Sequence, residues 1–215
     1  MLKIKKFVFN PFLENTYVIW DDKTKEAAVI DPGCYDKKED EQFKNFVQTE
    51  MLNLLYLINT HCHIDHILGN AYIKETFDCK FLAPEYDLFM LDLMVDQAKV
   101  YGVTLLESPK PEELITEDLQ FQLGEIEGKF LFTPGHTPGE YCLYFKEDKV
   151  CFTGDVLFKQ SIGRTDLWKG DYNTLIASIK NKLFTLPDDV TIYPGHEASS
   201  TIGFEKRNNM FLNSV

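Results

Sequence analysis

The feature that most constrains this chain is a group of three histidines and one aspartate within six residues, directly after an apolar run. The run at residues 54–58 is typical of a buried strand. If the backbone stays extended as far as His63, the side chains of His61 and His63 project to the same side, because side chains in a strand alternate with a period of two. Asp65 and His66 then lie in the first turn of a following helix. The pattern predicts a metal-binding site at the end of the strand.

The two other histidines and a second aspartate also follow predicted strands. They are His136 after residues 129–132, Asp155 after residues 149–152, and His196 after residues 190–193. Proline or glycine precedes each of them, stops the strand and holds the next side chain in a fixed loop position. The five histidines of the chain, together with Asp65 and Asp155, exceed the four ligands of one tetrahedral zinc ion. They fit two metal ions that share a bridging carboxylate.

The rest of the pattern predicts an α/β chain that forms a single domain over residues 1–215. Strands are predicted at residues 2–9, 16–20, 25–30, 80–83 and 141–145, and helices at 39–52, after Asp65, at 86–101 and at 172–184. Asp171 is the expected N-cap of the last helix. The helix at 86–101 is apolar on more than one face, so we expect it to pack on the core, with a lid or a dimer surface as the alternative.

Composition narrows the partners and the compartment. The formal net charge of -12 and the pI near 4.8 oppose binding to the phosphate backbone of a nucleic acid. No apolar stretch approaches the roughly 18 residues of a membrane span, and polar residues interrupt the N-terminal segment, so we expect neither a membrane anchor nor a signal peptide. Five cysteines without a CxxC pair are typical of free thiols, which favours the cytoplasm. We expect Cys62 to point away from its two neighbouring histidines, with a soft ligand or a redox-sensitive thiol as the alternative.

The spacing H-x-H-x-D-H at residues 61–66, followed by single ligands at 136, 155 and 196, resembles the metallo-β-lactamase superfamily. The turn Asp31-Pro32-Gly33 fits the same family, and the resemblance covers nearly the whole chain. It implies a four-layer αββα sandwich with the metal site at one edge of the two sheets. The implied ligands are His61, His63 and His136 for the first metal, Asp65, His66 and His196 for the second, and Asp155 as the bridge. Zinc is the expected metal, with iron or manganese as alternatives because nitrogen and oxygen ligands accept all three.

A closer resemblance is to the short glyoxalase II-like thioesterases. It is carried by the GRTD segment at residues 161–167, by the Pro-Gly-His ending at 194–196 and by residues 201–205. It makes Arg164 and Lys169 candidate contacts for the substrate. For Arg164, we favour a bracing role together with Asp166 over contact with a substrate carboxylate. Two residues depart from the family pattern, because Glu140 and Glu197 stand where small residues are usual, and whether glutathione is used stays open.

The ligand set is consistent with hydrolysis of a small-molecule thioester. Two cations lower the pKa of a bridging water from about 15.7 towards roughly 7, which supplies hydroxide as the nucleophile. A thiol with a pKa of about 8.5 leaves as a thiolate without help from an acid, whereas an amine needs a proton donor. Asp65 and Asp155 are the candidate catalytic carboxylates by resemblance.

Other activities are compatible with the same signature. The main alternative is a persulfide dioxygenase, which resembles this group but would use a single iron ion held by His61, His136 and Asp155. A β-lactamase and a metal-binding protein without catalysis are further alternatives. A homo-oligomer is left open by the sequence.

Overall fold

The computed structural model describes residues 1–103 and 105–213, which form two compact units. The first unit comprises Met1–Leu114 and Gln122–Ile126, and the second comprises Ile115–Phe121 and the chain from Glu127 onward. Whether they act as the single predicted domain stays a prediction. Across the described ranges, no helix combines the length and the apolar character needed to cross a bilayer.

The first unit is built on a six-stranded mixed sheet in the order β1-β2-β3-β4-β5-β6. The strands are β1 Leu2–Phe9, β2 Glu14–Asp21, β3 Glu26–Ile30, β4 Asn53–Ile58, β5 Lys80–Pro84 and β6 Glu113–Ile115. Strands β1 to β3 pair antiparallel, whereas β3, β4 and β5 pair parallel. The helices are α1 Lys37–Thr49, α2 Ile64–Ile67, α3 Asn70–Thr76 and α4 Leu88–Tyr101, with a 3-10 turn at Glu85–Asp87. The parallel strands place the ends of β3 and β4 at the same edge of this sheet.

Another six-stranded sheet has the order β14-β13-β10-β9-β8-β7, and its residues belong to the second unit apart from Gln122, Leu123 and Ile126. Its strands are β7 Phe121–Leu123, β8 Ile126–Phe132, β9 Tyr141–Phe145, β10 Val150–Gly154, β13 Thr191–Pro194 and β14 Ser200–Thr201. A small hairpin is formed by β11 Leu157–Phe158 and β12 Ser161–Ile162. The helices are α5 Tyr172–Ser178, continued by a π-helical turn Ile179–Leu183, α6 Ile202–Asn208 and α7 Met210–Asn213. Because β10 and β13 run parallel, the residues that follow them leave the sheet at the same edge.

Each unit has its own apolar core. In the first, Phe43 and Val47 of α1 and the buried methionines of α4 pack with residues of the sheet. The predicted packing of the 86–101 helix on the core is therefore observed for one face, whereas Val100 remains 82% exposed. In the second unit, Leu175 and Ile179 belong to a cluster with residues of β10 and β13. The i, i+4 spacing of these helix residues gives each helix one apolar face.

The helix predicted after Asp65 is interrupted, which corrects the sequence prediction. The chain forms the short helix α2, and α3 starts only at Asn70. The break lies at Gly69, whose N–H donates to the carbonyl of Pro32 (2.8 Å). A side chain at Gly69 would come within 2.4 Å of Cys34 Sγ, so only glycine permits this close approach. The interruption ties the segment after the predicted metal-binding motif to the turn after β3.

Candidate metal centre

The segment that carries the first histidines is a buried loop rather than a continuation of β4. The strand ends at Ile58, and a bend begins at Thr60, so the condition of an extended backbone through His63 is not met. Asp31 explains the bend, because its carboxylate accepts from the backbone N–H of Thr60 (2.7 Å) and from the Thr60 hydroxyl (2.6 Å). The backbone after β4 is thereby bound to the end of the neighbouring strand β3.

The loop brings the predicted ligands of the first unit together. The ring centroids of His61 and His63 lie 4.9 Å apart, and those of His61 and His66 lie 4.1 Å apart. Asp65 Oδ2 lies 3.6 Å from His66 Nε2. His61 and His66 are fully buried. Cys62 lies in the apolar core of this unit, where burial raises the pKa of its thiol, as expected for a residue that points away from its histidine neighbours.

Asp31 is a member of the site that the sequence analysis did not identify, since it was interpreted only as part of a turn. Its Oδ2 lies 3.2 Å from His66 Nδ1, and it brings one oxygen within 4.8 Å of ring nitrogens of His61 and His66. A carboxylate beside Nδ1 favours the tautomer of His66 that carries its proton on Nδ1 and has a lone pair on Nε2. The signal in the sequence was an acidic residue at the end of a strand that is parallel to β4.

In the second unit, two imidazoles converge on one carboxylate. His136 Nε2 lies 3.5 Å from Asp155 Oδ2, and His196 Nε2 lies 3.7 Å from the same oxygen. A pairing irregularity between Phe152 and Gly154 and the positive φ of Gly154 (46°) turn the chain out of β10 directly before Asp155. The N–H of Gly195 donates to the carbonyl of Gly154 (2.7 Å), which ties the segment before His196 to the segment before Asp155.

The tautomer of His136 is also fixed by its surroundings. Its Nδ1 lies 2.7 Å from the backbone carbonyl of Arg164. Because a carbonyl oxygen only accepts, Nδ1 is the protonated nitrogen and Nε2, on the side of Asp155, has the free lone pair. This arrangement, an imidazole whose second nitrogen donates to an acceptor, is typical of histidines that bind metals.

The residues of each unit fit a divalent metal ion. The nitrogen-to-oxygen distances of 3.5, 3.6 and 3.7 Å around Asp65 and Asp155 exceed the ~2.7–3.2 Å of N–H···O hydrogen bonds. They are instead the separations expected of donors arranged around a common ion, since metal–ligand bonds of about 2.0–2.2 Å keep neighbouring ligands about 3–4 Å apart. The donors are imidazoles and carboxylates, which suit zinc, iron or manganese.

The GRTD segment lies against His136 and Asp155 in the second unit. The guanidinium of Arg164 forms a bidentate ion pair with Asp166 (2.7 and 2.8 Å), and this pairing lowers the pKa of Asp166 to about 2. A side chain at Gly163 would come within 1.8 Å of the carbonyl oxygen of Asp155, so glycine is needed there. These contacts agree with the bracing role predicted for Arg164. Lys169 lies in a turn at positive φ (57°), and its role in substrate binding stays a prediction, as it does for Arg164.

Comparisons with known proteins agree with this architecture. The family model of the metallo-beta-lactamase superfamily matches residues 9–196. The hydroxyacylglutathione hydrolase GloC of Haemophilus influenzae is 40% identical over 205 residues, which are 94% of each chain. Among solved structures, the BLEG-1 B3 metallo-beta-lactamase is 33% identical with a TM-score of 0.89, covering 98% of this chain and 100% of that one. TTHA1623 in a di-iron-bound form is 32% identical with a TM-score of 0.86, covering 97% and 100%. The fold class predicted from the sequence is confirmed.

Proposed function

Because the chain belongs to the metallo-β-lactamase superfamily, we propose that it is a dinuclear metal-dependent hydrolase that acts on thioesters, as a hydroxyacylglutathione hydrolase does. The observation that carries the proposal is the pair of histidine sets, one in each unit, that surround acidic side chains at distances suited to a metal. The similarity to GloC supports the thioester class. The similarity to a protein with two bound iron ions supports a dinuclear site.

The proposed ligands follow the family pattern residue by residue. The first metal is assigned to His61, His63 and His136, the second to Asp65, His66 and His196, and the bridge to Asp155. We propose zinc as the metal, with iron or manganese as alternatives for the same donors. Two observations on this chain support the assignment. Each position of the family pattern carries the expected residue type, and the imidazole rings within each unit lie close to one another or to a shared carboxylate.

When bound, two such ions supply a Lewis acid and lower the pKa of a water molecule towards neutrality. The contribution of the protein is to hold the ligands in one protonation state. The carbonyl of Arg164 keeps the proton of His136 on Nδ1, and the Asp31 carboxylate beside Nδ1 of His66 favours the same tautomer there, so that both Nε2 atoms are available. A thioester suits this site, because its thiolate leaves without a proton donor. An amide would require a general acid in addition to these ligands.

The proposal is tested by elemental analysis of protein purified without added metal, together with thiol release from S-lactoylglutathione. We expect about two metal ions per chain and release of the thiol. His196→Ala removes one ligand of the second metal, so we expect a lower metal content and a loss in kcat/KM of at least about 100-fold. Asp189→Asn, which affects only an exposed ion pair with Lys149, is the control that should retain both properties.

Three outcomes would overturn the proposal in defined directions. One iron ion per chain, oxygen uptake with glutathione persulfide and no thiol release would assign the protein to the persulfide dioxygenases. Hydrolysis of a chromogenic β-lactam without thiol release would assign it to the β-lactamases. Full metal binding with none of these activities would leave a metal-binding protein without catalysis.

A further inference from the structure

We propose that Glu140 is a positioning residue that fixes the backbone of Asp155 and thereby the affinity of the site for metal. The inference rests on the proposed function, because it takes Asp155 as a metal ligand. Glu140 is fully buried, and its Oε1 accepts from the backbone N–H of Asp155 (2.7 Å). A fully buried glutamate is rare, since burying a carboxyl group is unfavourable unless it is hydrogen-bonded.

Glu140 also closes the loop that carries His136. Its backbone carbonyl accepts from the N–H of Thr133 at 2.9 Å, across the loop between β8 and β9. One residue therefore connects the segments of two proposed ligands, through its main chain on one side and its side chain on the other. Any displacement of Glu140 moves the His136 loop relative to Asp155.

Two neighbouring segments also restrict the backbone around Asp155. The N–H of Gly195 binds the carbonyl of Gly154, and Gly163 approaches the carbonyl of Asp155 too closely for any side chain. The amide of Asp155 is a further main-chain polar group of this segment, and Glu140 supplies its acceptor. Without an acceptor, this buried N–H would lose its hydrogen bond, which favours a rotation of the peptide plane that redirects the carboxylate.

The geometry requires the side chain at position 140 to have a hydrogen-bond acceptor at the distance of the glutamate carboxylate from the Asp155 N–H. Gln retains an acceptor oxygen at that distance, so Glu140→Gln should preserve the contact. Ala has no acceptor, and Asp is one methylene shorter, so Glu140→Ala and Glu140→Asp should lose it. A carboxylate needed for its charge would give the opposite order for Gln and Asp.

The test is the zinc affinity of the purified apoprotein, measured by competition with a chromophoric chelator. We expect Glu140→Ala and Glu140→Asp to weaken the affinity by about 10- to 100-fold, the range typical of residues that orient metal ligands. Glu140→Gln should stay within about threefold of the wild type. The cobalt-substituted proteins provide a second readout, since the visible absorption of Co²⁺ should change in Glu140→Asp and persist in Glu140→Gln.

Glu205 offers a matched control for the burial of a glutamate. It is also fully buried in the second unit, but it accepts from the N–H of Gln160 (2.8 Å) and pairs with Ser200 instead of a proposed ligand. Glu205→Gln should leave the zinc affinity unchanged. Circular dichroism and the Tm of each apoprotein show which variants fold.

Wild-type affinity in folded Glu140→Ala overturns the proposal, and so does an equal loss in Glu140→Gln and Glu140→Asp. If Glu140→Ala does not fold, the order of Gln and Asp decides alone. The proposed function is tested separately by thiol release from the wild type. If the wild type binds two metals but releases no thiol, the proposed thioester hydrolysis is wrong, whereas the proposed role of Glu140 is unaffected.

Discussion

At the scale of single residues, the ion pair of Arg164 and Asp166 bears on the two predicted roles of the GRTD segment. Both side chains are largely exposed, yet they meet in a bidentate geometry, and the backbone carbonyl of Arg164 itself accepts from His136 Nδ1. Exposed ion pairs contribute little to stability unless the geometry is good. The pair is therefore better understood as a brace that fixes a loop than as a source of stability.

The ion pair with Arg164 predicts the pH range in which Asp166 titrates. Its pKa is lowered to about 2 mainly by the hydrogen bond from Arg164. The stabilisation from this pair is present above the ordinary aspartate pKa of about 3.9 and is lost as the pH falls through about 2. Arg164→Ala should return the pKa of Asp166 to its ordinary range, as measured by NMR titration of the side-chain carboxyl carbon.

The same variant separates bracing from substrate binding. If Arg164 contacts the substrate, Arg164→Ala should raise KM with kcat little changed. If it only braces the loop, metal affinity should fall together with kcat. An unchanged Asp166 titration would contradict the ion pair itself.

Gly163 gives a second prediction at this scale. A Cβ atom at this position would lie 1.8 Å from the carbonyl oxygen of Asp155, so the two segments must separate in Gly163→Ala. We expect a loss of about 1–3 kcal/mol in the free energy of unfolding, as for other overpacked sites, and a lower metal content. Urea denaturation and elemental analysis measure both quantities.

Gly102→Ala is the control for the loss of a glycine. Gly102 has a positive φ (68°), but a Cβ atom there meets nothing within 4 Å. That variant should lose stability through backbone strain alone and keep its metal. A normal metal content in Gly163→Ala would contradict the close approach to Asp155.

At the scale of elements, the long periodic segments were predictable and the short ones were not. The strand predicted at 2–9 matches β1, and the helices predicted at 39–52 and 172–184 match α1 and the α5 region to within a few residues. Asp171 caps α5 as predicted, since its Oδ1 accepts from the N–H of Thr174 (2.7 Å). Strands of two or three residues such as β11 and β12 carry no periodicity, because their pairing depends on the tertiary structure around them.

The candidate site shows the same division. The residue types and spacing of the histidines identified the ligand candidates, because that signal is local. Asp31, Glu140 and the interruption at Gly69 were not identified as parts of the site, because their roles depend on contacts between segments distant in sequence. A hydrogen bond between residues 140 and 155 leaves no trace in the pattern of either segment.

The start of α1 provides a prediction for an element. Asp36 is its N-cap, and its Oδ1 accepts from the N–H groups of Lys38 and Glu39 (both 2.9 Å). Asp36→Ala leaves both donors to water and should lower the free energy of unfolding by about 1 kcal/mol, whereas Asp36→Ser should retain most of it. Urea denaturation of the apoprotein measures the difference.

Lys37→Ala is the matched control, because Lys37 is the next residue and is also exposed. It should change the stability by less than about 0.5 kcal/mol. Equal losses in Asp36→Ala and Asp36→Ser would show that the cap contributes nothing to the stability of α1.

At the scale of the whole molecule, the five cysteines share one property, which is burial. All five are buried free thiols, distributed over both units. Burial raises the pKa of Cys34, Cys62 and Cys142, and it raises that of Cys79 to about 11. Since the thiolate is the reactive species, a raised pKa and the lack of access both suppress reaction with thiol reagents.

We therefore expect the native protein to react with almost none of an added aromatic disulfide reagent near pH 7.5 within minutes. After unfolding in guanidinium chloride, all five thiols of the chain should react. The labelling rate of the native protein should be limited by local or global unfolding. It should therefore rise with the denaturant concentration more steeply than the reactivity of the reagent does. Cys62→Ser is the control for the thiol that lies within the predicted metal-binding motif. It should lower the number of thiols labelled in the unfolded protein by one and leave the labelling of the native protein unchanged.

Rapid labelling of one thiol in the native protein would contradict this prediction and identify an opening of that part of the core. If the labelled thiol were Cys62, its loss in Cys62→Ser would show that the metal-binding loop leaves its buried position in the apoprotein. Added zinc should then suppress the labelling in proportion to occupancy, because an ion that binds only the closed loop stabilises it by mass action. Slow labelling instead means that the loop is held by its own contacts, such as the Asp31–Thr60 hydrogen bonds, and that the site is formed before the metal arrives.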